Sequence, residues 1–279
     1  MGPECGGPLV RHASVKKVSF TGSVETGKIV YGEAAKKLMP VTLELGGKSP
    51  MIVMGDCDME RTVAGALAAM RFTRQGQSCT AASRMFVHAS VYDEFVRRMA
   101  AAVDKMVMGD PLDPKTDIGT IISQAQYDRV QRYIREGSAL PGVKAIHCSQ
   151  LPTDPRLKGG LFVRPVIFTG IDNSCHVSRD EIFGPVTSVI KFDSFEEAVR
   201  MANDTDYGLA ASIWTQDVKL ALRATKMLQA GVVQVNQNFV LNPNFPVGGW
   251  KTSGLGREAS LEAMIETYTK PKLVSMSLV

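Results

Sequence analysis

Two residues of this 279-residue chain have the types needed for nucleophilic catalysis, and each stands in a suitable segment. Cys79 lies in RQGQSCT (residues 74–80), where Gly and small polar neighbours leave a thiol open to a substrate. Glu44 lies in VTLELGGKSP (residues 41–50), framed by leucines that should raise the pKa of its carboxyl group. Such a carboxylate can remove a proton near neutral pH. The pair predicts a thiol nucleophile and a general base.

A turn between a strand and a helix is predicted at FTGSVETGK (residues 20–28). The N-terminus of a helix offers free N–H groups and the positive end of the helix dipole, which suit a phosphate. Gly22 and Ser23 are therefore candidates to hold the pyrophosphate of a dinucleotide. Ser23 could equally be only an N-cap.

The same segment allows a rival hypothesis, because Gly22, Gly27 and Lys28 match most of a P-loop. Ile29 stands where a P-loop requires Ser or Thr to bind magnesium, and Thr42 stands where a second match, at residues 47–49, requires its leading Gly. A nucleotide triphosphatase stays only as a distant alternative.

Segments FTGS (20–23), LELGG (43–47), GQSC (76–79) and EIFGP (181–185), in this order, closely resemble the NAD(P)-dependent aldehyde dehydrogenases. The resemblance implies that Glu181 bonds the nicotinamide ribose and that Phe183 packs beside the nicotinamide. It also implies cofactor contacts at Gly22, Ser23, Gly27 and Leu45. Gln126 falls where a further ribose contact is common in the family, although a polar helix face is the other interpretation.

The C-terminal segment PVGGWKTSGLGRE (246–258) resembles the Gly-rich segment that borders the substrate funnel in this family. Val247 departs from the aromatic residue common there, so Phe245 or Phe239 is a possible substitute, and Trp250 suggests a further apolar lining. Glu258 matches a Glu that some members use in a proton relay. At the start of a predicted helix, Glu258 could also simply favour the helix dipole.

The resemblance spans the whole chain, yet the chain corresponds to only somewhat more than the C-terminal half of a family member. It implies an α/β fold with a truncated Rossmann-like cofactor domain (1–46), a catalytic domain (47–266) and an oligomerisation strand (267–279). A parallel sheet without its opening strands exposes an edge and an apolar face. We therefore expect a homo-oligomer or association with full-length subunits.

Composition is that of an ordinary globular chain, with 44% hydrophobic and 22% charged residues. The net charge of +4 is mild and spread along the chain, so nucleic-acid binding is not predicted. An odd number of cysteines without a CxxC pair, together with few histidines, predicts neither disulfides nor a metal site, and no membrane span or signal peptide is predicted. We expect a cytoplasmic protein. The cysteines other than Cys79 are expected to be small buried hydrophobes: Cys5, Cys57, Cys148 and Cys175.

Apolar runs typical of strands alternate with helical patterns, which predicts a largely parallel sheet. Ser194 and Asp217 are predicted helix N-caps. Strands are predicted at 15–20, 41–45, 51–54, 85–88, 163–169, 186–192, 211–214, 231–235 and 273–278. Helices are predicted at 24–38, 59–72, 92–106, 124–136, 195–202, 218–229 and 258–266.

The resemblance to aldehyde dehydrogenases implies oxidation of an aldehyde to a carboxylic acid, with NAD or NADP accepting the hydride. In this hypothesis Cys79 forms a thiohemiacetal and then a thioester, and Glu44 activates the water that hydrolyses it. Two alternatives stay open. One is an inactive fragment or assembly partner of such an enzyme, and the other is a Cys-dependent acyl transferase or hydrolase that needs no cofactor.

Overall fold

A computed structural model describes residues 2–238 and 244–278, in which helices and strands alternate as predicted. The helices are α1 (Gly2–Arg11), α2 (Val24–Ala35), α3 (Met59–Met70), α4 (Tyr92–Asp104), α5 (Gln124–Ser138), α6 (His176–Arg179), α7 (Phe195–Asn203), α8 (Val218–Met227) and α9 (Leu261–Tyr268). The strands are β1 (Val18–Thr21), β2 (Val41–Glu44), β3 (Pro50–Val53), β4 (Arg84–His88), β5 (Lys144–His147), β6 (Val166–Thr169), β7 (Val186–Phe192), β8 (Tyr207–Gly208), β9 (Ala210–Trp214), β10 (Val232–Val235), β11 (Trp250–Lys251) and β12 (Gly254–Leu255).

The larger sheet has seven strands in the order β10-β9-β3-β4-β7-β6-β5. Its strands pair in parallel except for β5, which pairs antiparallel with β6 at one edge. The predicted α/β class with a largely parallel sheet is confirmed. The edge strand β5 was not predicted, because its Lys144 and His147 are exposed and give no apolar run.

Helices cover both faces of the larger sheet, so its central strands are buried throughout, which is typical of parallel sheets. Neighbouring residues along a strand contribute to opposite cores. Ile52 and Phe86 pack into one apolar cluster, whereas Met51 and Met85 pack into the other. The two cores fix the strands whose ends border the site.

The smaller sheet contains β1, β2 and β12. β1 and β2 are parallel, whereas Gly254–Leu255 pairs antiparallel with β2. α1 supports this sheet through Val10, which packs with Ala34 and Met39. The sequence did not predict α1, because its Gly and Pro residues disfavour a helix and only packing compensates.

Residues adjoining strands of both sheets line one cleft. Thr21 and Glu44 are register partners at the carboxyl ends of β1 and β2. The segments that precede β3, β4 and β7 approach from the opposite side, at the amino ends of those strands in the larger sheet. Ligands of open α/β sheets bind beyond carboxyl ends of strands, so this junction is the expected place for a site.

The end of the chain differs from the prediction. No strand is present at 273–278, where Leu273 and Leu278 are each 94% exposed and the segment pairs with no strand of the described residues. The last helix begins at Leu261 rather than at residue 258, since Ser260 caps it.

The proposed domain boundaries stay predictions. Within the two described ranges, no helix is both long and apolar enough to cross a membrane.

The predicted burial of the cysteines is correct only for Cys148. Cys5 is exposed on α1, and Cys57 and Cys175 are half-buried. Both predicted caps are confirmed, since the side chains of Ser194 and Asp217 accept backbone N–H groups in the first turns of α7 and α8.

Candidate active site

A cleft of about 720 Å³ lies at the junction of the two sheets. Its volume is within the usual range for small-molecule sites. All but one of the predicted site residues line it: Gly22, Ser23, Glu44, Leu45, Cys79, Glu181 and Phe183. The remaining one, Gly27, lies behind the cleft wall. A Cβ on Gly27 would stand 2.6 Å from Leu45 Cδ2, so the structure gives Gly27 a packing role.

Glu44 ends β2 and presents a half-buried carboxyl group to the cleft. Its Oε1 atom is buried and has no hydrogen-bond partner. Burial, and then the nearby charge of Glu258, raises the pKa of Glu44 to about 7, while Arg257 opposes the shift. The raised pKa expected from the leucine setting is found, with the neighbouring carboxylate as an additional cause. Glu44 is thus suited to exchange a proton near neutral pH.

Cys79 is positioned by a tight loop that leads into β4. Gln75 and Gly76 both have positive φ, of 56° and 63°. Only Gly fits at position 76, because a Cβ there would lie 2.1 Å from the carbonyl oxygen of Gly184. Burial first, and then the charges of Glu181 and Glu44, raises the pKa of the Cys79 thiol. The free chain therefore holds this thiol protonated at neutral pH, and attack requires that its proton be removed.

The Gly-Gly pair after Glu44 contacts protein groups that face the cleft. Gly47 donates its N–H to Glu181 Oε1 at 3.0 Å. A Cβ on Gly46 would stand 2.1 Å from Glu181 Oε2. Burial raises the pKa of Glu181, while the Gly47 N–H, Lys48 and Arg129 oppose that rise. The glycines thus allow a buried carboxylate to lie against the chain beside the nucleophile.

Phe183 borders the cleft with a ring that is 37% exposed. Its φ of 56° places a bulky residue in the left-handed region, where strain is expected. Gln126 holds this segment, since its Nε2 donates to the carbonyl oxygens of Ile182 and Phe183, each at 2.8 Å. Gln126 also lines the cleft, so it is more than a solvated helix position.

Arg129 and Tyr207 are among the lining residues that sequence reasoning missed. Arg129 Nη2 donates to the carbonyl oxygen of Glu181 at 2.7 Å. It lies one helical turn after Gln126 on the same face of α5, and that spacing could have indicated it. Burial raises the pKa of Tyr207 to about 12, with Glu181 as a further cause. Nothing in the sequence links Tyr207 to Cys79.

The N-terminus of α2 forms another part of the cleft wall. Ser23 Oγ accepts the N–H of Thr26 at 3.2 Å, so Ser23 is an N-cap. The N–H of Gly22 donates to the carbonyl oxygen of Glu44 at 3.1 Å, which joins this turn to the proposed base. The positive end of the α2 dipole therefore lies beside Glu44.

Two of the C-terminal aromatic residues, Phe245 and Trp250, do not line the cleft. Phe245 is 63% exposed, and Trp250 is 46% exposed in β11. Val247 forms a bridge with Glu258, whereas Phe239 lies outside the described residues. The dipole interpretation of Glu258 is wrong, because α9 begins later and Glu258 instead accepts a hydrogen bond from Ser19 Oγ.

Lys48 and Arg84 are buried cations beneath the cleft. Lys48 Nζ donates to the carbonyl oxygen of Val177 at 3.0 Å, and burial lowers its pKa to about 7. Arg84 donates to the carbonyl oxygen of Lys48 at 3.0 Å and to that of Ala202 at 2.9 Å. Lys48 cannot reach a phosphate in solution, and Lys28 is exposed away from the cleft, so neither P-loop match is supported.

Comparison with known proteins identifies the family. The family model described as "Aldehyde dehydrogenase family" matches residues 1–274. A betaine aldehyde dehydrogenase of Mesorhizobium japonicum is 42% identical over 261 residues, which cover 94% of this chain and 53% of that protein. Retinaldehyde dehydrogenase 3 of Homo sapiens is 41% identical over 278 residues, or 99% of this chain and 53% of that protein.

Solved structures give the same result. A variant aldehyde dehydrogenase of Bacillus cereus has a TM-score of 0.89 at 37% identity, covering 96% of this chain and 53% of that one. Betaine aldehyde dehydrogenase of Staphylococcus aureus, in complex with NAD+, has a TM-score of 0.90 at 36% identity, covering 98% and 55%. The chain thus spans about half the length of the relatives that it matches. Over that span both its sequence and its fold are similar to those of aldehyde dehydrogenases, and the chain belongs to the aldehyde dehydrogenase family.

Proposed function

We propose that this chain carries the catalytic site of a nicotinamide-dependent aldehyde dehydrogenase, which oxidises an aldehyde to a carboxylic acid. The observation that carries the proposal is the convergence of Cys79, Glu44 and Glu181 on one cleft, with Glu44 at a pKa of about 7. NAD or NADP is the proposed cofactor, and a small aldehyde is the proposed substrate. Cytoplasmic location and homo-oligomer formation, or association with full-length subunits, belong to the same proposal.

The cleft suits the nicotinamide and pyrophosphate portions of such a cofactor. The capped N-terminus of α2, with Gly22 and Ser23, would hold the phosphates. The Glu181 carboxylate would accept the ribose hydroxyls, and the exposed ring of Phe183 would pack beside the nicotinamide. A bound cofactor would supply a hydride acceptor.

The residues of the chain supply the remaining chemistry. Cys79 Sγ forms a bond to the aldehyde carbon, and the carbonyl oxygen becomes an oxyanion that the backbone N–H of Cys79 would hold. Glu44 and Cys79 each carry a negative charge when ionised, and this repulsion contributes to the raised pKa of the thiol. A proton passing from the thiol to Glu44 leaves a single charge on the pair, so Glu44 is suited to assist the attack.

After oxidation the acyl group is held on Cys79 as a thioester. Glu44 removes a proton from water, the resulting hydroxide attacks the acyl carbon, and the C–S bond breaks to release the acid and the thiolate. Glu44 is deprotonated for this step only above its pKa of about 7. Deacylation should therefore accelerate as the pH rises through neutrality.

The experiment that tests the proposal measures NADH or NADPH formation by the purified full chain with aliphatic and aromatic aldehydes. Cys79→Ala is the blank, and turnover of an activated ester without cofactor is measured beside it. Aldehyde-dependent reduction of the cofactor above the blank supports the proposal. Ester turnover that needs Cys79 but no cofactor favours the hydrolase instead, and a folded chain with neither activity favours the inactive fragment.

A further inference from the structure

Three side chains outside the cleft form a continuous line of contacts. Cys175 Sγ lies 3.8 Å from His176 Nδ1. The other ring nitrogen of His176, Nε2, lies 3.0 Å from Glu136 Oε2 on α5. This is the arrangement of a nucleophile, a base that takes its proton, and a carboxylate that orients the base. Cys175 and His176 lie at the start of α6 and Glu136 lies on α5, so folding brings the three side chains together.

Further groups lie around this line of contacts. Lys48 is fully buried, and burial lowers the pKa of Lys48. The charge of Cys175 is among the causes that oppose this shift. On the solvent side, Arg132 Nη1 lies 3.8 Å from Glu136, and the Tyr133 ring lies 5.9 Å from that of His176. A half-buried thiol whose sulfur lies beside an imidazole is the setting expected of reactive cysteines.

The other cysteines outside the cleft lack this setting. Cys148 is buried, its Sγ lies 3.9 Å from the carbonyl oxygen of Ile146, and burial raises its pKa to about 11. Burial also raises the pKa of Cys57. His147 precedes Cys148 in the chain just as His176 follows Cys175, but Cys148 Sγ lies against a carbonyl oxygen, so adjacency in sequence is not sufficient.

We propose that Cys175 is a modification site that exchanges with low-molecular-weight disulfides, with His176 as proton acceptor and Glu136 as the residue that orients His176. The thiol proton passes to His176 Nδ1, and Sγ attacks one sulfur of the disulfide. The S–S bond of the small molecule breaks and a bond to Cys175 forms. The departing thiolate takes the proton from His176, so the small disulfide is the oxidant and the products are a mixed disulfide and one free thiol.

Modification at this position reaches the cleft through short contacts. Cys175 precedes α6, and the Val177 carbonyl oxygen in α6 accepts the buried Lys48 ammonium. Lys48 follows Gly47, whose N–H holds Glu181. A bulky group on Cys175 should displace α6 and with it Glu181. This effect on cofactor binding rests on the proposed function, whereas the reactivity of the thiol does not.

The test uses the full chain carrying Cys79→Ala, so that the cleft thiol is absent. Oxidised glutathione is added at neutral pH, and mixed disulfides are followed by intact mass and located by peptide mapping. We expect Cys175 to be modified before Cys5 and Cys57. His176→Gln, which can still bond Glu136, should slow the reaction at Cys175 about tenfold, and Glu136→Gln should slow it by a smaller factor.

His147→Gln is the matched control and should leave the rate at Cys175 unchanged. Earlier modification of Cys5 or Cys57, or equal rates at Cys175 with and without His176, would overturn the proposal. NAD affinity is then compared before and after modification in the same protein. A reactive Cys175 in a chain that never binds NAD would uphold the modification site and reject only the link to cofactor binding.

Discussion

The Cα atom of Gly47 packs against the carbonyl oxygen of Cys79 so closely that an added Cβ would stand 2.3 Å from that oxygen. The N–H of the same glycine donates to Glu181 Oε1 at 3.0 Å. The proposed nucleophile and the proposed ribose ligand are therefore positioned against one residue of the chain. Backbone contacts of this kind cannot relax by a change of rotamer.

Alanine substitutions at Gly46 and at Gly47 should have different effects on stability and on cofactor binding. Gly47→Ala collides with backbone, so we expect a loss of several kcal/mol in the free energy of unfolding. Gly46→Ala meets only the end of the Glu181 side chain, so it should cost about 1 kcal/mol or less while weakening NAD binding. Urea unfolding and a cofactor titration measure the two effects. Equal loss of stability in both variants would contradict this difference.

Glu44→Gln should trap the acyl-enzyme. The amide cannot take a proton from water, so the steady state should fall at least about 100-fold. A first turnover should still produce NADH, but more slowly than in the wild type, because the amide also cannot take the Cys79 proton. Rapid mixing and intact mass of the acylated Cys79 provide the measurement. Steady turnover at the normal rate would show that another group is the base.

The raised pKa of Glu44 also predicts a pH dependence of stability. Folding favours the protonated form of Glu44, and this preference stabilises the folded chain. Its contribution to the free energy of unfolding is complete below the ordinary pKa of 4.5 and is lost as the pH rises through about 7. Between pH 4 and pH 8, the free energy of unfolding of Glu44→Gln should therefore rise relative to that of the wild type by roughly 1 kcal/mol, after allowance for solvent screening. Subtracting wild-type from variant unfolding curves at each pH cancels the other titrating groups. A difference that stays constant with pH would refute the assignment.

Phe183→Gly should distinguish backbone strain from ring contact. Gly adopts the positive φ of this position without a Cβ penalty, so stability should hold or rise by about 1 kcal/mol. Loss of the ring should raise KM for the cofactor. Phe183→Leu is the control that keeps the strain and removes the aromatic face. A marked loss of stability in the Gly variant would mean that the ring contributes to packing.

Arg84→Ala should be among the most destabilising single changes. Arg84 is fully buried and donates to three carbonyl oxygens, those of Lys48, Met201 and Ala202, so its removal leaves buried acceptors without donors. We expect a loss of more than about 3 kcal/mol. Arg164 is a matched control, since it also bonds two carbonyl oxygens but is half-exposed, and Arg164→Ala should cost about 1 kcal/mol. Similar losses in the two variants would show that burial of Arg84 is not the cause.

Local chemistry in the sequence determined the α/β class, the parallel sheet and the candidate roles of Cys79 and Glu44. Alternating apolar runs predict strands wherever both faces are buried, as at Met51 to Val53, and a short polar side chain before a helix predicts its cap, as at Ser194. Glu44 between two leucines indicated a raised pKa, because a carboxylate loses hydration beside apolar groups. These inferences depend on neighbours in the chain.

The tertiary structure decided what depends on distant parts of the chain. Gly27 was expected to contact the cofactor, but its Cα packs on Leu45. α1 forms despite poor helix propensity because Val10 packs on α2. The charge of Glu258 reaches Glu44, and Glu136 reaches His176, only because separate elements converge. Electrostatic and packing interactions depend on distances in the folded chain, so they cannot be predicted from the linear pattern alone.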